Sequence, residues 1–337
     1  MIKVASLYTG VGGLDWGFIL SEGFEHVFAN EWNKDAASTF KLNYERLTGH
    51  APTFLQEGDI AKYLDNVPAH DVLLGGFPCP SWSIAGNREG FEDVRGQEFF
   101  NCLKVVHLNK PQMFVFENVK GLLSHNNGES LAYMKTLLVA EGYNVEVTLH
   151  KFNNYGIPQR RERVFIVGIR NDIIPFAVAF EKKPAASIRE VLAYVSANCK
   201  LGENNHNLHI GDGKSKVHWI KVLRTGENLA RVSEEVIRAR EQELGIEPRA
   251  IPKTQQGYIR MQIDVVAPTM MFGNTCVPIH PLEDRSISVR EAATFQSFPL
   301  DFVFCGGIAA QYKQVGNAVS YKMGFKLADV IGKHRIR

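Results

Sequence analysis

Val4-Ala5-Ser6-Leu7-Tyr8 runs straight into Thr9-Gly10-Val11-Gly12-Gly13 and then into a helical pattern from Leu14 to about Leu20. Strand, glycine turn and helix in that order form the opening unit of an α/β sheet. The glycines let backbone N–H groups approach a ligand at a helix N-terminus. The spacing departs from G-x-G-x-x-G, so the turn alone names no ligand.

The same rhythm continues to about residue 170. Val27-Phe28-Ala29-Asn30-Glu31-Trp32 reads as a second strand ending in an acid, and Gly58-Asp59-Ile60 closes a third. A carboxylate at Glu31 can bind both hydroxyls of a ribose, and the indole of Trp32 can stack on adenine. The alternatives are a solvated strand end for Glu31 and a core aromatic for Trp32. Asp59 is placed to accept from an adenine amino group. Asp71 to Gly76 and Met113 to Phe116 read as further buried strands, the latter ending in Glu117-Asn118-Val119. An acid leaving a buried strand is costly unless it is paired or functional. A helix from Ser130 to Glu141 precedes alternating Val145–Leu149, and Gln159-Arg160-Arg161-Glu162-Arg163 precedes the buried run Val164–Ile169. These arginines either form a solvated turn or point into something. The expected fold is α/β, with a mostly parallel, Rossmann-like sheet.

Phe77-Pro78-Cys79-Pro80-Ser81-Trp82-Ser83 follows the fourth strand. Two prolines, each fixing φ near −65°, stiffen the turn at the sheet edge where open α/β proteins bind ligands. The glycine- and charge-rich run Gly86 to Gly96 after it has the composition of a lid, with Arg88 and Arg95 in it. A thiol here is either a nucleophile or a small buried hydrophobe.

Beyond Pro175 the βα rhythm stops. From Glu181 to about Asp264 polar and basic residues dominate, including Lys200, Lys221, Arg224, Arg231, His206, His209 and His218. This predicts a smaller, irregular second domain over 181–310, with 1–180 and 311–337 forming the first. Ser233–Leu244 is expected to be helical, as is Ser288–Pro299, and a single amphipathic helix is expected from Gln314 to Ile331. The five cysteines contain no C-x-x-C and the histidines lack ligand spacing, so no metal is expected. Nothing approaches the roughly 18 apolar residues of a membrane span, and the N-terminus lacks a signal peptide's layout. The reading is a soluble protein of a reducing cytoplasm. A net charge of +2 leaves nucleic acid open, since affinity follows where the cations cluster.

Taken in order, Tyr8–Gly13, Glu31-Trp32, Gly58–Ile60, Gly76–Cys79, Asp93–Gly96, Glu117–Val119, Gln159–Arg163, Arg290-Glu291 with Gln296–Pro299, and Gln314–Val319 resemble the DNA cytosine-5 methyltransferases of prokaryotic restriction-modification type. The resemblance implies S-adenosylmethionine as cofactor, held by Tyr8, Gly10, Gly12, Gly13, Glu31, Trp32, Asp59, Ile60, Pro78, Asn317 and Val319. It implies Cys79 as nucleophile, Glu117 as the acid at ring N3, Arg163 on the ring carbonyl and Arg161 on neighbouring carboxylates or phosphate. Arg88, Arg95 and Thr269 would meet double-stranded DNA, from which the target base is flipped. A monomer acting on the nucleoid, functionally paired with a restriction endonuclease, completes the expectation. Tyr8 departs from the family's usual Phe, and Pro80 from its usual Gln. A transfer-RNA-directed relative would share most of these motifs but carry a smaller reader, so the long 181–264 stretch favours duplex DNA. A dinucleotide-dependent oxidoreductase would explain neither the Pro-Cys element nor the arginine run.

Overall fold

The computed structural model describes residues 1–78, 97–208, 214–251, 258–270 and 278–334. Contacts divide it into two units. The first comprises Met1–Tyr155, Glu162–Lys182 and Ala318–Arg337, and the second Gly156–Arg161 and Lys183–Asn317. Residues 156–161 and 311–317, expected with the first domain, therefore lie with the second.

The first unit is built on β1 (Ile2–Leu7), β2 (Phe24–Glu31), β3 (Leu55–Glu57), β4 (Val72–Gly75), β5 (Met113–Val119), β6 (Tyr143–Lys151) and β8 (Glu162–Arg170). They form one sheet in the order β3-β2-β1-β4-β5-β8-β6. β1 pairs in parallel with β2 and β4, and β5 runs parallel to β4. β8 is antiparallel to both β5 and β6. The order reverses between β1 and β4, so the crevice outside their carboxyl ends is where such a sheet takes a ligand.

Register explains the core. Ala5 pairs with Leu73, Leu73 with Phe114, and Phe116 with Ile166, so these side chains share one face. Phe99, Leu103 and Val106 of α3 (Gln97–Asn109) and Met134 and Leu138 of α4 (Glu129–Ala140) cover it. Each fully buried side chain of this kind contributes about 1.5–3 kcal/mol.

α1 (Asp15–Ile19) packs on α10 (Tyr321–Lys333) through glycines. A Cβ on Gly17 would lie 2.0 Å from the Gly324 carbonyl carbon, and one on Gly324 would lie 2.4 Å from the Leu14 carbonyl oxygen. An alanine in a helix normally gains up to about 1 kcal/mol over glycine. Gly324→Ala should instead destabilise the protein by about 1–3 kcal/mol, because two backbones must separate. A thermal midpoint several degrees below wild type checks this, and an unchanged or raised midpoint contradicts it.

The expected single helix from Gln314 to Ile331 is instead two. α9 (Ile308–Asn317) ends, and α10 starts after Ser320. The intervening residues meet the first glycine turn, since a Cβ on Gly13 would stand 2.2 Å from the Val319 carbonyl oxygen. That backbone approach needs a non-helical turn at Val319.

The second unit carries α5 (Ile188–Asn198), α6 (Lys214–Val222), α7 (Glu234–Glu243), α8 (Val289–Phe295) and α9, with a short parallel pair of β7 (Gln159–Arg160) and β9 (Ala267–Pro268). Trp219, Leu223, Leu229, Ile237 and Ile279 form a small core. Much of its order comes from buried charge. Glu241, fully buried, accepts from Arg238 at 2.7 Å and pairs with His218 at 2.7 Å. Arg285 grips Glu291 through two contacts of 2.8 Å. Glu291 also closes a capping box with Ser288 at the start of α8. Arg290 is wholly buried and donates to the carbonyls of Asn204, Pro299 and Phe302. Burial pushes its guanidinium down to about 10, against the opposing pull of Cys199 and Asp301. The Arg290-Glu291 and Gln296–Pro299 motifs are thus structural ties of this unit.

Candidate active site

At the carboxyl end of β1, Tyr8 has a left-handed backbone with φ 57°. That conformation costs a non-glycine residue of order 1 kcal/mol or more. The turn it starts is tied on several sides. Thr9 N–H donates to the Asn30 carbonyl at 2.9 Å, and Gly12 N–H to the Thr9 carbonyl at 3.0 Å. Trp16 Nε1 donates to the Val11 carbonyl at 2.8 Å.

Glu31, buried at the end of β2, holds the turn from the next strand. Its Oε2 accepts from Gly10 N–H at 2.7 Å and its Oε1 from Asn33 N–H at 2.7 Å. Burial raises its pKa above the usual carboxylate range, against the pull of N–H donors at Asn33, Gly10 and Trp32. Trp32 is 75% exposed, so it is a presented ring and not a core aromatic. Asn30 is buried and donates to the Gln56 and Gly58 carbonyls, both at 3.0 Å, which fixes the exit of β3. There Asp59 is exposed and caps the 3-10 turn Ile60–Lys62 by accepting from Ala61 N–H at 2.9 Å, while Ile60 is buried beneath. Gly10, Gly12, Gly13, Glu31, Trp32, Asp59, Ile60 and Val319 therefore all lie in the first unit. The turn, Glu31, Trp32, Asp59 and Ile60 line the carboxyl ends of three adjacent strands. Asn317 is exposed and belongs to the second unit.

Across the switch point, the chain leaves β4 through Gly76, Phe77 and the exposed Pro78. Phe77 packs on Phe99 and Phe116, and its carbonyl accepts from Asn118 Nδ2 at 3.0 Å. A Cβ on Gly76 would sit 3.8 Å from Glu117 Oε2. The β5–β8 register puts Glu117 opposite Phe165, so Arg163, two residues earlier on β8, shares its face. Arg163 and Glu117 form an ion pair, with Nε 2.7 Å from Oε1. Arg161, expected beside it, is 1% exposed and donates from Nη2 to the Gly316 carbonyl at 2.9 Å within the second unit. Two arginines that share a parity in sequence thus serve different units. Arg160 is exposed, and its carbonyl accepts from the Thr269 hydroxyl, which extends the β7–β9 pair. Cys79, Arg88 and Arg95 lie outside the described residues.

Three residues in this region were not singled out in sequence as site residues: Asn30, Asn118 and Glu98. The first two are uncharged polar groups at buried strand ends, a signal open to reading. Glu98 meets Tyr8 across 90 positions of chain, and nothing local marks it.

An acid-ended second strand beside a glycine turn, with a Glu–Arg pair at the far side of the switch point, defines a sheet-edge site of the methyltransferase kind. Residues 2–333 match the family model for C-5 cytosine-specific DNA methylases. The chain belongs to that family. A type II methyltransferase from Bacillus sp. (strain RFL6), M.Bsp6I, is 32% identical over 99% of both chains. M.NgoPII from Neisseria gonorrhoeae, also a type II methyltransferase, is 29% identical over 98% of this chain and 96% of its own. Among solved structures, the S. pombe Dnmt2 methyltransferase superposes with a TM-score of 0.61 at 19% identity, covering 99% of this chain and 100% of that one. The enzyme is thus a C-5 cytosine DNA methyltransferase of the type II restriction-modification kind.

Proposed function

We propose that the protein transfers a methyl group from S-adenosylmethionine to carbon-5 of a cytosine flipped out of duplex DNA, through a transient bond to Cys79. The Glu117–Arg163 pair carries this reading. Ring N3 and the carbonyl oxygen at C2 are neighbours on the cytosine edge. A carboxyl group and a guanidinium held side by side match them, with Glu117 at N3 and Arg163 at the carbonyl. Gly76, three residues before Cys79 in sequence, adjoins Glu117, and Asn118 anchors the Phe77 carbonyl just ahead of Pro78.

The residues present fit the proposed donor. Glu31 has a carboxylate fixed by two backbone donors, Trp32 offers a free ring face, and the Gly10 turn has open space where a side chain would stand. In this reading Glu31 takes the ribose hydroxyls, Tyr8 and Trp32 flank adenine, Asp59 accepts from its amino group, and Val319 serves the methionine end. When bound, the donor supplies an electrophilic methyl on a sulfonium centre.

The chain's own groups perform the remaining work. The Cys79 thiolate forms a bond to C6, and the displaced electron pair makes C5 nucleophilic. Glu117 delivers a proton to N3, so that negative charge does not accumulate on the ring. Arg163 holds the carbonyl oxygen. Once C5 is methylated, its proton is lost to a base, the C6–sulfur bond breaks, and the thiolate and the proton on N3 return to where they started. Burial of the Arg161 guanidinium and its contact with the Gly316 carbonyl support a positioning part at the end of α9. The second unit reads the flanking sequence, with exposed Lys200, Lys221, Arg224 and Arg231 available to phosphates. A companion endonuclease would be blocked by the mark.

Bisulfite sequencing of DNA from cells expressing the protein tests the reaction. Protection of cytosine at one fixed sequence is the expected result, and a mark confined to RNA or to an exocyclic nitrogen would contradict it. The raised Glu31 pKa adds a pH signature. The ionised carboxylate is the form that accepts from ribose, so donor affinity should fall as pH drops through that pKa, by up to about tenfold per unit below it. Calorimetry from pH 8 to pH 5 should show this for wild type and a flat profile for Glu31→Gln. An equal slope in both would refute the assignment.

A further inference from the structure

Tyr8 stands where the family usually has Phe, and its hydroxyl has a defined partner. It donates to Glu98 Oε2 at 2.5 Å and accepts from Asn101 Nδ2 at 3.2 Å. The Asn101 amide also reaches Glu98 Oε2 at 3.4 Å. Glu98 and Asn101 are three apart on the first turns of α3, so both face the phenol. Tyr8 is also the residue whose left-handed backbone begins the glycine turn, and a β-carbon disfavours that conformation. On its backbone side the next residues are tied to Asn30 and Glu31. On its side-chain side the tie is the Glu98 carboxylate.

We propose that the Tyr8 hydroxyl and Glu98 are a positioning pair, which sets the glycine turn and the tyrosine ring for the adenosine end of the methyl donor. The inference rests on the adenosine-site reading above. The pair touches no reacting atom, so its loss weakens donor binding and leaves the chemical step alone.

Donor binding to the full chain, measured by calorimetry with S-adenosylmethionine and with its demethylated product, tests this alongside single-turnover methylation at saturating donor. Tyr8→Phe and Glu98→Ala should each raise Kd roughly 5- to 30-fold, the loss of one charge-assisted hydrogen bond. The double variant should be no weaker than the weaker single one, because both remove the same contact. Glu98→Gln should stay within about threefold of wild type, since its amide oxygen still accepts from the phenol. Saturating rates should stay within about twofold throughout. A wild-type Kd in Tyr8→Phe, or losses that multiply in the double variant, would overturn the pair while Glu31→Ala still loses binding. Full affinity in Glu31→Ala would instead remove the adenosine-site reading, and the inference with it.

Discussion

Glu117→Gln is expected to lower the turnover number by roughly 10²–10⁴-fold, the range for loss of a positioned general acid. The substitution is nearly isosteric, so the amide can occupy the place of the carboxylate whose Oε1 lies 2.7 Å from Arg163 Nε in the native ion pair. Geometry is therefore kept while the transferable proton is lost. Donor Kd should stay within about twofold, because the contacts proposed for the adenosine end come from the glycine turn, Glu31 and Trp32, on the other side of the switch point. Rapid-quench measurement at saturating donor and duplex reads the effect. A rate within a factor of about three of wild type would mean that N3 obtains its proton elsewhere.

Cys79→Ala should have the larger effect, removing methyl transfer altogether. Without sulfur at C6 the proposed route to a nucleophilic C5 is closed. Binding of the donor should persist, since the contacts proposed for its adenosine end come from the carboxyl ends of β1, β2 and β3. Measurable turnover in this variant, after exclusion of contaminating enzyme, would remove the covalent mechanism.

The two predictions draw on different kinds of legibility. The order glycine turn, Glu31-Trp32, Pro-Cys, Glu117 and Arg163 was readable because each lies at the end of a run with an apolar strand pattern. The carboxyl ends of the parallel strands converge on one edge, and the start of the antiparallel β8, with Arg163, reaches the same edge. What could not be read depends on contacts between distant segments. The break between α9 and α10 exists because the Val319 carbonyl meets Gly13, a contact spanning nearly the whole chain. Arg161 and Arg163 look equivalent in sequence, yet one ends under Gly316 and the other on Glu117. His206 and His218, read as loop residues of a polar stretch, are buried on Ser288 and Glu241. A polar composition hides such pairs, because a buried charge with a partner has the same letters as a solvated one. Tyr8 was legible as a departure from Phe, but the reason for its hydroxyl emerged only with Glu98 beside it.

The central claim is that sulfur at position 79 bonds to the target pyrimidine. Incubation with S-adenosylmethionine and a duplex carrying 5-fluorocytosine at the target tests it directly, because fluorine at C5 cannot leave as the proton does and elimination stalls. Denaturing mass spectrometry should show the protein joined to one DNA strand plus one methyl group, and peptide mapping should place the bond on Cys79. A donor-dependent reaction that leaves no adduct, or one mapped to any of the other four cysteines, Cys102, Cys199, Cys276 or Cys305, would contradict the account.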